Sequence, residues 1–314
     1  MSGRLQRVLG LRYPVLQAGM GGVAGPVLAA AVSDAGAGGC LGGYKLTGAG
    51  LRAAVDDVLA RTRGPVGVNL IPEVVGPRTL DEQVTQVLRE TPGRVHLCFF
   101  GLPDPEVLRQ VRDAGRVAVV QVGTPDDARA AAEYAPVVVV QGEEAGGHLL
   151  GDAARDELVA AVRRDLPDVC LVAAGGIAAR EQVRQALDAG ADGVCVGTAF
   201  VPTVESQAHP QFQRAVLDAA GSDTVVTDVY RIGWPGRRHR VLRTAVTDRP
   251  DQPARVIGRT RVGGTEYLVP RFSSAVPNGT TTGNIAEMAQ YCGLACGAVT
   301  DRPGAAELVH RLAG

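Results

Sequence analysis

Short, wholly apolar runs alternate with amphipathic stretches from the N-terminus to about residue 220. The runs Pro14–Ala18, Gly38–Gly42, Pro65–Ile71, Val95–Phe100, Val117–Val122, Val137–Gln141, Val169–Ala174 and Gly193–Gly197 predict strands buried on both faces. Between them Pro26–Ala35, Gly50–Arg61, Thr79–Glu90, Pro105–Ala114, Pro125–Glu133, Asp156–Arg164 and Arg180–Ala189 predict helices, and another follows from Gln207 to Ala219. Many of these open on Pro or an acid and close on Gly, as helix termini do. Strict strand–helix alternation implies parallel strands joined by right-handed crossovers. Eight such units in roughly 220 residues predict a closed (β/α)8 TIM barrel, with a doubly wound sheet as the competitor. The pattern breaks between Val225 and Thr282, where Pro and Gly punctuate short strand candidates (Ala254–Thr260, Tyr267–Pro270) around the only tryptophan, Trp234. Two helices, Asn284–Ala298 and Pro303–Leu312, are expected to end the chain. The expected division is a barrel from 1–222 with 283–314, and a small irregular substrate-side lobe from 223–282, inserted after the eighth strand.

Chemistry enters at the sixth strand, V-V-V-V-Q-G-E-E-A-G-G-H, Val137 to His148. An apolar strand here runs straight into two acids, a glycine pair and a titratable ring, the composition of a site or of a surface loop. In a barrel the sixth strand ends on the face that carries chemistry, and the loops after strands seven and eight bind phosphate. Those loops read A-A-G-G-I (Ala173–Ile177) and V-G-T-A-F (Val196–Phe200). Gly175, Gly176, Gly197 and Thr198 therefore offer backbone amides and a hydroxyl without a lysine, a neutral phosphate cradle. Met20, Asn69, Gln121 and Gln141 stand at other strand ends, where a ligand extending from that phosphate would touch them. An amide buried in an apolar strand needs a partner, from a ligand or from neighbouring backbone. The pattern is equally compatible with a flavin, a nucleotide or a sugar phosphate. His96 begins a strand, His209 and His239 fall in predicted loops, and His310 lies near the end, so all four read as ordinary structure. Glu143 and Glu144 are adjacent in an extended segment and point opposite ways, which favours solvated or structural roles.

One competing motif is G-M-G-G-V-A, Gly19–Ala24, which satisfies the spacing of a dinucleotide fingerprint. The second strand exits as L-G-G-Y-K, without the carboxylate that would hold a ribose, so the motif reads as a glycine-rich barrel loop. Of the 314 residues 46% are hydrophobic, ample for a large core, and a net charge of −1 gives no field for nucleic acid or an anionic membrane. Lys45 is the only lysine. The start, M-S-G-R-L-Q-R-V-L-G-L-R, is interrupted by arginines and has no signal-peptide core. Six cysteines do not make a disulfide framework in a chain of this size; Cys40, Cys98, Cys170 and Cys195 sit in strand-like runs, and Cys292 and Cys296 stand four apart on a predicted helix. No metal site and a reducing, cytoplasmic setting are expected.

Taken in order, P-V-L-Q-A-G-M (14–20), L-A-A-A-V-S-D-A-G-A-G-G (28–39), G-V-N-L (67–70), F-F-G-L-P (99–103), E-A-G-G-H (144–148), A-A-G-G-I (173–177) and G-A-D-G-V-C-V-G-T-A-F (190–200) resemble the FMN-dependent nitronate monooxygenase family, nearly end to end. The resemblance implies a TIM barrel with noncovalent FMN. It implies cofactor contacts at Met20, Asn69, Gln141, Gly146, Gly175, Gly176, Cys195, Val196, Gly197 and Thr198, with Gly147 at the same close approach, and a catalytic role for His148. It also implies oxidation of alkyl nitronates by dioxygen to a carbonyl compound and nitrite. Expected partners are a small-molecule substrate and dioxygen, without nucleic acid or membrane, and a homodimer is left open. Two departures, Leu294 in Y-C-G-L where many relatives carry an amide and the second aromatic of Phe99–Phe100, are expected to make the pocket more apolar. The rival readings are an FMN-dependent enoyl-thioester reductase, an NAD(P)H:quinone reductase, and a phosphate- or flavin-binding barrel without redox chemistry.

Overall fold

The computed structural model describes residues 3–43, 45–262 and 264–314. Met1, Ser2, Tyr44 and Gly263 lie outside the described residues, so the reading of the chain start and of the second strand's exit is tested only at their neighbours. The strands are β1 (Val15–Gln17), β2 (Gly39–Gly42), β3 (Val66–Leu70), β4 (Val95–Phe100), β5 (Ala118–Val122), β6 (Val137–Gln141), β7 (Gly147–His148), β8 (Cys170–Ala174), β9 (Gly193–Val196), β10 (Thr224–Thr227), β11 (His239–Leu242), β12 (Val256–Val262), β13 (Thr265–Pro270) and β14 (Thr282–Gly283). The helices are α1 (Arg4–Leu9), α2 (Pro26–Asp34), α3 (Gly48–Arg61), α4 (Pro72–Glu90), α5 (Pro105–Asp113), α6 (Pro125–Ala132), α7 (Arg155–Asp165), α8 (Arg180–Asp188), α9 (Pro210–Asp218), α10 (Ala245–Asp248) and α11 (Ala305–Ala313).

Eight parallel strands pair in the order β1-β9-β8-β6-β5-β4-β3-β2. The two ends of that order meet: Gly38 donates to Val15 (2.8 Å) and Gln17 donates to Gly38 (2.9 Å), so the sheet closes on itself. The result is the expected (β/α)8 barrel. Alternate residues separate two cores. Val66, Val68, Val138, Val140, Leu171 and Val194 face the helices, while Leu16, Val119, Val139, Val172 and Cys195 fill the interior. The interior is plugged from below by α1, which the sequence reading missed. Its Leu5 and Leu9 sit four apart and enter the interior core, and Gly10 ends the helix at φ +70°.

Helix α4 begins earlier than the expected Thr79 but is broken at Gly76 (φ +74°) before Pro77, so its regular part is close to the predicted span. The expected helix Asn284–Ala298 does not form. Short 3₁₀ turns occupy Ile285–Glu287 and Leu294–Ala298, and the residues between them are extended. The physical reason is that this backbone bonds elsewhere: Leu242 donates to Gln290, Gly293 to the Thr198 hydroxyl, and Leu294 to Glu144. Cys292 and Cys296 therefore do not share a helix.

A second, antiparallel sheet runs β10-β11-β7, and a third β13-β12-β14. The first of these matters for function because β7 is the tail of the E-A-G-G-H segment. Pairing of His148 with His239, and of Gly147 with Arg240, clips that segment to the strand from 239 to 242. His239 is thus a fully buried strand residue and not the loop residue expected.

Candidate active site

A cavity with about 1260 Å³ of empty space, part of it open to solvent, lies at the carboxyl ends of the barrel strands. Its wall brings together Met20, Asn69, Gln121, Gln141, Gly146, Gly147, His148, Gly175, Gly176, Cys195, Gly197 and Thr198. Val196 is the exception: its side chain is buried in the core between sheet and helices, and only its carbonyl turns to β1, accepting from Ala18.

The glycine turn after β8 is held from behind. Buried Arg155 donates to the carbonyls of Gly175 (2.9 Å) and Gly176 (3.3 Å), while Glu144 accepts from the Arg155 amide at the start of α7. Gly175 and Gly176 take φ +107° and +64°, which side chains rarely adopt. Among the described residues the amides of Gly175, Gly176 and Thr198 find no acceptor. The Thr198 hydroxyl accepts from Gly293 and keeps its own proton to donate. These groups form a cradle of free donors without side chains, suited to a phosphate. Cys195 lies below it as a neutral thiol, its pKa pushed up to about 12 by burial.

Both amides singled out in the strands are engaged by backbone. Asn69 donates to the Gly19 carbonyl (3.0 Å). Gln141 donates to the His148 carbonyl (3.1 Å) and accepts from the Leu150 amide (2.9 Å), so it holds the backbone on either side of the histidine. Glu143 contributes through its backbone: its carbonyl accepts from the buried Arg240 guanidinium and its amide donates to the Ala153 carbonyl. Both acids therefore hold structure. Phe100 lines the cavity, but Leu294 does not; it is 40% exposed, so the expected apolar effect of that departure is absent from the wall.

His148 sits in an aromatic box. Trp234 stacks on it with centroids 3.7 Å apart and planes at 21°, Tyr291 and His239 lie at 5.2 and 5.1 Å, and Phe100 meets Trp234 edge-on at 5.6 Å. His239 is locked as the neutral Nδ1–H tautomer: Nε2 accepts from the Tyr230 amide, so Nδ1 donates to the Arg237 carbonyl. Burial, with His239 and the positive charge of Arg237 nearby, pushes the His148 pKa down to about 3. The sequence reading expected a histidine poised near neutrality; the structure holds it uncharged. Among the described residues its Nε2 and the Trp234 Nε1 are both buried without a partner. Each orphan polar group of this kind costs about 1–3 kcal/mol, an arrangement kept where function uses it. Sequence reasoning missed Trp234, His239, Arg155 and Arg240. The dense R-I-G-W-P-G-R-R-H-R segment was the only signal for three of them.

A depressed histidine couples stability to pH. Below about pH 6.5 the unfolded chain protonates His148, while the folded protein does so only near pH 3. Acidification through that window therefore favours unfolding, by up to about 1.4 kcal/mol per pH unit. Urea midpoints at pH 7 and 5 should fall less for His148→Gln than for the wild type; equal slopes would mean that the ring charges in the folded state.

Such a barrel, with a donor cradle and a buried neutral imidazole around one cavity, is built as an enzyme for small molecules. The chain belongs to the nitronate monooxygenase family, whose model matches residues 2–314. It is 33% identical over 258 residues to a (3aS,4S,5R,7aS)-5-hydroxy-7a-methyl-1-oxo-octahydro-1H-indene-4-carboxyl-CoA dehydrogenase of Mycobacterium tuberculosis, covering 81% of this chain and 70% of that one. Among solved structures, FabK from Thermotoga maritima superposes with a TM-score of 0.83 at 26% identity, over 99% of this chain and 95% of that one. A nitroalkane oxidase from Streptomyces ansochromogenes superposes at 0.79 with 27% identity, over 98% and 96%. Family and relatives make the protein an oxidoreductase. No described helix is long and apolar enough to cross a membrane.

Proposed function

We propose that this enzyme oxidises alkyl nitronates, including those it forms from nitroalkanes, using FMN and dioxygen and yielding a carbonyl compound and nitrite. The observation that carries the reading is the pairing, in one cavity, of free amides at Gly175, Gly176 and Thr198 with the buried, neutral, unpartnered imidazole of His148. The nitroalkane oxidase likeness supports the same chemistry. The residues present fit FMN. The cradle with Gly197 would hold its phosphate, and Met20, Asn69, Gln141, Gly146, Gly147 and Cys195 would surround the rest. Bound there, FMN supplies the electron acceptor and the reactivity toward oxygen.

The chain's own part is placement and proton handling. A neutral imidazole is the form that can take the α-proton of a nitroalkane, at Nε2. The charge it gains then lies against the nitronate it has made, in a water-poor box where such a pair attracts strongly. Gln141 keeps the His148 backbone in register through both of its bonds. Anaerobic mixing with propyl-2-nitronate should bleach the bound flavin without NADH or NADPH.

A second reading is reduction of an enoyl thioester by a nicotinamide; for the thioester part alone it takes support from the relative named as a carboxyl-CoA dehydrogenase. It replaces the first if only NADH or NADPH bleaches the flavin. A colourless protein that cannot be reconstituted with FMN sinks both.

A further inference from the structure

His148 has two ring faces, and they are covered in different ways. His239 and Tyr291 cover one side, and both are anchored: His239 pairs with His148 in the β7–β11 ladder, and Tyr291 bridges Val241 and donates to the Ser274 carbonyl. Trp234 covers the other. Its ring lies at van der Waals distance, so no substrate atom fits between indole and imidazole.

The segment that carries Trp234 is held very differently. Ile232 is fixed by backbone bonds with Phe272 and Ser274, and Arg238 by a bond from Leu149. Between those anchors, among the described residues, the backbone–backbone hydrogen bonding is the local turn from Trp234 to Arg231, and the Arg237 carbonyl accepts from His239 Nδ1. Ile232, Gly233, Pro235 and Gly236 are exposed, and Gly233 and Gly236 take φ +94° and +74° on either side of the Trp-Pro pair. The indole is therefore the one buried side chain of the tip, residues 233–236, whose Gly233 otherwise packs close to Ser274 and Lys45. Among the described residues that buried indole N–H has no partner, and neither has the nitrogen it helps to seal, His148 Nε2. A contact that leaves two polar groups unsatisfied on a loop with glycine at both ends is one the molecule can release.

We propose that Trp234 is a specificity-determining cap on His148. In the free protein its indole occupies the imidazole face that a planar substrate takes, and substrates are selected by how well they replace it. Phe100, edge-on to the indole from the rigid strand β4, remains as the wall against which the replacing group packs. Flat, conjugated oxygen-bearing groups such as a nitro group would accept from the released indole N–H through oxygen while presenting the α-C–H to the imidazole lone pair at Nε2. Branched or bulky neighbours of that group must also pass the displaced loop. The substrate half of this proposal rests on His148 being the reacting base; the cap itself does not.

The test separates the two. Diethyl pyrocarbonate acylates accessible, unprotonated imidazoles, and peptide masses report each histidine in the FMN-loaded protein. His310 is exposed and serves as the fast reference; fully buried His239 reports an intact fold. In the wild type, His148 should react roughly tenfold or more slowly than His310, as protected groups do. Trp234→Ala should bring it close to the His310 rate with His239 still slow, and Trp234→Phe should fall between. Equal His148 rates in wild type and Trp234→Ala overturn the cap. Should His239 also react fast in the alanine variant, the phenylalanine variant decides, and an unchanged rate there overturns it. With substrates, Trp234→Ala should shift the kcat/KM ratio of nitrocyclohexane to nitroethane by about tenfold, in the range that one pocket change commonly gives. An unshifted ratio overturns the selection step. A wild-type protein inert to every nitroalkane removes the nitronate reading and leaves the acylation result to judge the cap.

Discussion

Replacing His148 by glutamine is expected to cut kcat/KM for neutral nitroethane by about 10²–10⁴, the usual worth of a general base, while FMN content stays at the wild-type level. The cofactor should be retained because the cradle stands on Gly175, Gly176 and Thr198, and because Gln141 grips the backbone of residue 148, not its ring. Turnover of a preformed nitronate should fall by less than about tenfold, since its α-proton is already gone. Equal losses on both substrates would move His148 from proton removal to binding. The pH profile carries a second signature. kcat/KM reports the free enzyme, where the His148 pKa is pushed down to about 3. The wild-type profile on nitroethane should therefore show no acid limb near pH 6.5. A limb at that value would mean that the ring is solvated in the working enzyme.

The barrel was legible because its grammar is local. Parallel strands covered on both faces read as unbroken apolar runs, and V-V-V-V at Val137–Val140 and C-L-V-A-A at Cys170–Ala174 are buried along their whole length. The cradle was legible for the same reason: glycines at the ends of β8 and β9 announce a backbone that something approaches. What escaped depends on partners far away in the chain. Asn284–Ala298 carries helix-forming residues, yet its backbone is claimed by β11, by Thr198 and by Glu144, and tertiary bonding overrides propensity. His239 looked like a loop residue because β11 has only a two-residue partner in β7 and a four-residue one in β10, too little for a strand signature. Trp234 was visible as the only tryptophan, but nothing along the chain says that it lies on a histidine 86 positions earlier. Gln141 shows the limit from the other side. A buried amide beside a cofactor loop invites assignment to the ligand, and here its two described bonds go to the backbone around His148.

The adjacent glycines of E-A-G-G-H should fail in different ways when changed to alanine, and the contrast tests how the site is assembled. Gly146 has no unusual φ; its constraint is space. A Cβ there would lie 2.5 Å from the Gly293 nitrogen and 2.6 Å from the Cys292 carbonyl carbon, both backbone atoms that cannot swing aside. Gly146→Ala must therefore push the 144–148 segment away from the strand of chain that carries Tyr291 and Gly293. Gly293 then loses its bond to the Thr198 hydroxyl, and one edge of the cradle is no longer held. Overpacking of this kind costs about 1–3 kcal/mol of stability, and FMN should be lost on gel filtration under conditions where the wild type stays yellow. Gly147 is the reverse case: nothing lies within 4 Å of its missing Cβ, but its φ is +89°. Gly147→Ala should cost about 1–2 kcal/mol through backbone strain alone, with the Gly293–Thr198 contact intact and FMN retained. Unchanged melting and full FMN content in Gly146→Ala would show that the 291–293 segment yields freely. In that event Thr198 would keep its place without help from Gly293.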